Sequence, residues 1–202
     1  MRRGLKNMSK IRIAIAGLLT VILGLSLVGP ANAARVYNTD TKRWEEASVA
    51  KSGRRGSPIT KAIVDYDTKY KVGTIIVETG ERRLYLVLPD GKALKYGIGV
   101  GREGFTWSGT NRITRMAEWP GWTPPAQMRK RVPDLPAYMP GGPENPLGAR
   151  ALYIGSTLYR IHGTSEPWTI GQAVSSGCIR LTNEDVTDLY ERVKVGATVI
   201  VH

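Results

Sequence analysis

The sequence predicts a mostly β domain carrying one helix close to its C-terminal end, and three observations predict it. Turn-forming residues are abundant, with Gly 23 and Pro 12 in 202 residues. They separate short runs of β-branched, aromatic and aliphatic residues, the pattern of strands joined by turns. Only one stretch, after residue 182, spaces its apolar residues as a helix does. At 42% apolar residues the chain can build a core, which excludes wholesale disorder. Its length suits one ordinary domain plus a leader rather than two full domains.

The elements follow in chain order. A cationic start (Arg2, Arg3, Lys6, Lys10, Arg12) leads into an apolar run from Ile11 to Val28, then Gly29-Pro30 and Ala31-Asn32-Ala33. That layout predicts a signal peptide over residues 1–33, cleaved after Ala33 and leaving no membrane span. The competing reading is a retained anchor, because the run approaches the length of a spanning helix. Arg2-Arg3-Gly4-Leu5-Lys6 partly matches a twin-arginine signal, so the export route stays open, and no cysteine follows the run to take a lipid. Residues 34–71 read as an N-terminal extension or linker: polar, weakly periodic, and holding the run Lys51 to Pro58.

From residue 72 to 202 the pattern is that of a domain. Thr74–Thr79 and Arg83–Leu88 read as strands joined at Gly80-Glu81, and Pro89-Asp90-Gly91 as a turn into a strand over Ala93–Val100. A Gly/Thr-rich loop over 101–110 precedes a short strand near Arg112–Met116. Residues 119–147, rich in Pro, Gly and Trp, are a long insertion of the functional-flap kind. Ala151–Ile154 and Leu158–Ile161 read as strands. Thr182 or Asn183 caps a helix with Glu184 and Asp185 at its start, an apolar face of Val186, Leu189, Tyr190 and Val193, and Gly196 as its stop. Ala197–Val201 closes the chain as a strand.

The net charge of +12 raises a nucleic-acid reading, which location weakens. Without the five basic residues of the leader, 24 basic residues face 17 acidic ones, and they are scattered. A mildly basic surface suits an anionic polymer, and no nucleic-acid partner is expected.

The chain holds one cysteine and two histidines. A single thiol in an exported protein has no internal disulfide partner and is a liability unless buried or used. Cys178 sits in Ser175-Ser176-Gly177-Cys178 with Arg180 two residues on, so loop N–H groups and a positive charge favour thiolate there. His202 is terminal, which leaves His162, at the end of a strand and before Gly163-Thr164, as the base. These residues are too few for a closed zinc site, so no metal is expected, and no cofactor.

His162-Gly163-Thr164, followed 16 residues later by the cysteine of Ser175-Ser176-Gly177-Cys178-Ile179-Arg180-Leu181, resembles the L,D-transpeptidase catalytic domain of the YkuD type. Leu84-Tyr85-Leu86, Pro143 to Gly148 and Ala151 to Ile154 extend the resemblance over roughly residues 72–201. It implies a β-rich, sandwich-like fold and an exported enzyme of the periplasm or cell wall, sensitive to carbapenem-type β-lactams. Its substrates would be peptidoglycan stem peptides, and its role cell-wall biogenesis and cell shape. Cys178 would be acylated by a tetrapeptide stem and pass the acyl group to an amine, giving a 3→3 crosslink or attaching a protein, such as an outer-membrane protein, to the wall.

On this resemblance His162 is the base and the Gly163 carbonyl orients it. The N–H groups of Ser176, Gly177 and Cys178 form the oxyanion hole. Arg180, Tyr153, Ser175 and Trp122 bind substrate, Arg180 through a stem carboxylate, with pairing to Glu184 or Asp185 as its structural alternative. Ser176 stands where many members have histidine, so that position does not transfer protons here. The remaining alternatives are carboxypeptidase or D-amino-acid exchange on the same stems, and a non-catalytic wall-binding module. A papain-like peptidase would place its cysteine before its histidine, which is the reverse of this order.

Overall fold

The computed structural model describes residues 35–38, 43–46 and 57–202, so the expected signal peptide and part of the 34–71 extension lie outside the described residues. Two short strands, β1 (Arg35–Asn38) and β2 (Arg43–Glu46), pair antiparallel. The main body is a nine-stranded sheet. Its members are β3 (Ala62–Asp65), β4 (Ile75–Glu78), β5 (Arg83–Leu88), β6 (Lys92–Gly97), β8 (Gly109–Glu118), β9 (Arg150–Ile154), β10 (Arg160–His162), β12 (Ile179–Arg180) and β13 (Thr198–Val201). They run in the spatial order β12-β10-β9-β8-β13-β4-β5-β6-β3. A separate parallel pair joins β7 (Val100–Gly101) to β11 (Ala173–Ser175). The mainly β expectation therefore holds.

The turn at Asp90-Gly91 forms as its residue types demand. Both carry positive φ, 59° and 65°, the primed geometry whose twist matches the flanking strands. Alternation fills two layers. Ile75 and Val77 of β4 join Leu84, Leu86, Tyr96, Leu152 and Ile161 in the main core, while Ile76 faces the other way with Tyr85, Val87 and Ala93. That second face is covered by Val64, Tyr66 and Tyr70, with the Tyr66 and Tyr85 rings stacked at 4.6 Å. Residues read from sequence as linker thus cover a sheet face. Their strand, β3, was invisible because it is an edge strand with little buried side chain and an outward Ile63.

The helix forms as read. In α2 (Asn183–Arg192) the Thr182 hydroxyl accepts the Asp185 N–H at 3.1 Å, and Val186, Leu189 and the following Val193 are buried in the main core. The 119–147 insertion adds a second, short helix that its composition concealed, α1 (Ala126–Arg131). It packs Met128 and Val132 onto Trp122, Leu135 and Leu147 as a small core of its own.

One closure positions the site. The expected strand over 93–100 breaks at Ile98-Gly99, and Gly99 exchanges two backbone hydrogen bonds of 2.8 Å with Arg180. Thus β12, at one edge of the sheet order, bonds to the chain just beyond β6, near the other edge. The sheet folds over its core, and the segment before β12 is held between its two ends.

Candidate active site

The β10–β12 register builds the site. These two strands run parallel, with Ile161 opposite Ile179 and His162 opposite Arg180. Stepping back one residue places Arg160 beside Cys178, where its charge and its backbone both act to lower the thiol's pKa. Side chains alternate along strands, so Arg160 and His162 share one face with Cys178 and Arg180. The four form a quadrilateral with His162 and Cys178 on a diagonal. All four line one cavity of about 770 Å³.

Burial sets the protonation states. His162 is 5% exposed, and its Nδ1 lies 2.6 Å from the Gly163 carbonyl. A carbonyl only accepts, so Nδ1 carries the proton and Nε2 keeps its lone pair. Desolvation first, then the Arg180 charge, hold the imidazolium down to about 3, with the Gly163 and Leu147 carbonyls opposing. Burial likewise pushes the Cys178 thiol up, outweighing the charges of Arg160 and Arg180 that pull it down. The sulfur points toward the Leu158 carbonyl at 3.9 Å. Thiolate-favouring neighbours were read from the sequence, but their desolvation was not. Both shifts favour the uncharged forms, a thiol at Cys178 and a neutral imidazole at His162.

The loop before Cys178 is held on both sides. Within it, the Ser175 hydroxyl donates to the Cys178 carbonyl at 2.6 Å and accepts the Gly177 N–H at 3.2 Å. Ser175 lines the cavity, yet its hydroxyl serves the loop. Gly177 has φ 105°, where a Cβ would also overlap the Tyr159 ring. Outside it, Trp107 Nε1 donates to the Gly177 carbonyl at 2.9 Å and stacks on Tyr159 at 4.8 Å and 4°. In a trans peptide the N–H points opposite the C=O. Fixing the Gly177 carbonyl therefore aims the Cys178 N–H the other way. Among the described residues the Ser176 and Cys178 N–H groups make no internal hydrogen bond, which leaves them for a ligand. The Gly177 N–H expected beside them is taken by Ser175. Trp107, on the Gly/Thr-rich loop, carried no signal in the sequence.

The other expected residues separate. Trp122 is 7% exposed and forms a cavity wall with Pro124, Pro125, Met128 and Leu147. Tyr153 does not line the cavity; its ring meets the guanidinium of Arg115 at 3.6 Å and that of Arg160 at 5.3 Å. Arg180 is buried and paired with Glu166 at 3.3 Å, both side chains near 5% exposed, rather than with Glu184 or Asp185. Gly163 does more than leave room: a Cβ there would overlap Asn183 Oδ1, which accepts the Ala149 N–H at 2.9 Å. Asn145, 1% exposed, ties the flap together, donating to the Pro120 carbonyl at 3.1 Å and the Pro140 carbonyl at 2.9 Å while accepting the Leu147 N–H at 2.9 Å. Among the described residues no group of three or more His, Cys, Asp or Glu could hold a metal ion. No helix among them is long and apolar enough to cross a membrane.

Known proteins are similar to this chain in sequence. The YkuD model, an L,D-transpeptidase catalytic domain, matches residues 73–201. The probable L,D-transpeptidase ErfK/SrfK of Escherichia coli (strain K12) is 43% identical over 134 residues, 62% of this chain and 42% of that protein. The chain thus spans less than half the length of that relative. A Brucella melitensis crystal structure named a probable carnitine operon oxidoreductase is 43% identical, covering 72% of this chain and 94% of that one with a TM-score of 0.49. An Enterococcus faecium L,D-transpeptidase structure is similar in fold, with a TM-score of 0.50 at 17% identity over 65% of this chain and 50% of that one. With its model match covering well over half of the residues, the chain belongs to the YkuD family of L,D-transpeptidase catalytic domains.

Proposed function

We propose that the protein is an exported, cysteine-dependent L,D-transpeptidase acting on peptidoglycan tetrapeptide stems. The observation that carries this reading is the diagonal placement of Cys178 and His162 on one face of the β10–β12 pair, lining a single cavity. His162 takes the Cys178 proton as the sulfur attacks the carbonyl of the third stem residue. The oxyanion is received by the Cys178 and Ser176 N–H groups. The C–N bond breaks, His162 returns the proton to the leaving amine of the fourth residue, and a thioester remains. An incoming amine attacks the thioester, loses its proton to His162 and displaces the sulfur, which is reprotonated. The acceptor is a second stem, giving a 3→3 crosslink, or an amine of an outer-membrane protein. Residues 72–202 form the catalytic domain, preceded by a 34–71 extension. Residues 1–33 direct export to the periplasm or wall and are removed after Ala33, which N-terminal sequencing of the exported protein checks.

The test is acylation. A carbapenem-type β-lactam should add one acyl group per chain by intact mass, and purified muropeptides should yield a crosslinked product. Both should vanish in Cys178→Ala. An adduct that survives this substitution overturns the reading.

A further inference from the structure

Arg180 was the arginine that the sequence marked for a substrate carboxylate. Its guanidinium is committed to the buried carboxylate of Glu166. The cavity holds another arginine in a different state. Arg160 forms no salt bridge among the described residues, and its Nε is shut off from solvent without a hydrogen-bond partner. Tyr153 lies opposite it across the β9–β10 ladder and offers its ring at 5.3 Å, with Arg115 over the same ring at 3.6 Å. The ring limits the guanidinium's orientation and supplies no counter-charge.

Among the described residues the cavity supplies none either: no Asp or Glu of theirs lines it, while Arg102, Arg129 and Arg131 do, together with Arg160 and Arg180. A partly desolvated guanidinium lacking a counter-ion is costly to hold, and an arriving carboxylate removes that cost through two parallel charge-assisted hydrogen bonds. The register sets Arg160 beside Cys178, so a carboxylate held there belongs to the part of the donor that flanks the bond under attack.

We propose that Arg160 is the specificity-determining residue of this site: it receives a free carboxylate of the acyl donor next to Cys178, so the protein selects polycarboxylate stems over amidated ones. The donor's identity rests on the function proposed above. Two groups have the required chemistry, the terminal carboxylate of the fourth residue and a side-chain carboxylate on the third.

The experiment separates these sources and keeps the two proposals apart. Cys178 in the full chain is alkylated with iodoacetamide, a neutral reagent, in the presence of three synthetic tetrapeptide stems. One carries both carboxylates, one is amidated at the third-residue side chain, and one is amidated at the C-terminus. Protection is scored as the ratio of rates with and without peptide, which cancels any change in the thiol itself. The doubly acidic stem should protect at a concentration roughly 10- to 100-fold lower than the form amidated at the carboxylate that Arg160 holds. Arg160→Gln should erase that difference, and Arg160→Lys, which keeps the charge but loses the fork, should retain part of it. A preference that survives in Arg160→Gln overturns the proposal, as does equal protection by all three stems in the unaltered protein. If Arg160 only tuned the thiol, both variants would change the alkylation rate and leave the preference intact, which also overturns it. Mass analysis of the same mixtures reads the transpeptidase proposal independently. Arg160-dependent protection with no stem processed supports the carboxylate site while removing the transpeptidase reading.

Discussion

His162 combines burial with a short bond to the carbonyl beside it, and this makes its protonation visible in stability. Its folded value of about 3 lies below the ordinary 6.5. Between those values the unfolded chain takes up a proton that the folded one refuses, so stability present above pH 6.5 is lost as pH falls toward 3, by about 1.4 kcal/mol per pH unit for one proton. Chemical denaturation at pH 7 and pH 5 should show the unaltered protein losing about 2 kcal/mol more than His162→Gln over that step. Equal losses would mean an imidazole titrating in the ordinary range. Trp107 reaches Cys178 at one remove, through the Gly177 carbonyl it holds. Trp107→Phe keeps an aromatic ring for Tyr159 but drops the N–H. It should slow β-lactam acylation roughly tenfold, while the free energy of unfolding changes by about 1 kcal/mol or less. A large stability loss with normal acylation would make Trp107 a packing residue only.

Among the elements, the flap lines the cavity and α2 sets Asn183 against Gly163. Asn145 satisfies carbonyls from both ends of the flap with one amide, so Asn145→Ala leaves buried acceptors unpaired at about 1–3 kcal/mol. The small core around Trp122, Leu135 and Leu147 depends on that closure. Proteolysis should therefore begin within residues 119–147 of the variant, with the sheet intact. Cleavage elsewhere first would contradict this. At α2 the cap is a single hydroxyl, and Thr182→Ala should cost about 1 kcal/mol in equilibrium unfolding. Because Asn183, the next residue, fills the space beside Gly163, the same substitution should also perturb acylation, whereas a cap far from the site would not. The helix was legible from its cap and apolar period. Short α1 was not, since six residues among prolines and glycines give no measurable period.

Over the whole molecule, the closing of the sheet makes distant positions matter. Gly101 of β7 shows it: a Cβ there would stand 2.5 Å from the Phe105 carbonyl oxygen and 3.2 Å from the Gly177 Cα. Both atoms are backbone, so neither can swing aside. Gly101→Ala should lower the acylation rate at least tenfold by displacing the loop before Cys178, though 77 residues separate it from Cys178 in the chain. Normal acylation in that variant would show the loop to be free of β7.

Most strands, the main helix and the family were legible from residue order, because alternation, capping and the His-Gly…Ser-x-Gly-Cys spacing are local signals. Three features were not. Ion pairing is a long-range choice, and only the fold sets Glu166 against Arg180 while leaving Arg160 facing the cavity. Protonation depends on desolvation, and nothing in the residues around Cys178 shows that the surroundings push its thiol up. Edge strands such as β3 bury too little to stamp a period on their residues. A chain's order specifies which chemical groups are present and which face of an element they share. Their counter-ions and solvent are decided only when segments far apart in sequence close around them, as Gly99 does on Arg180.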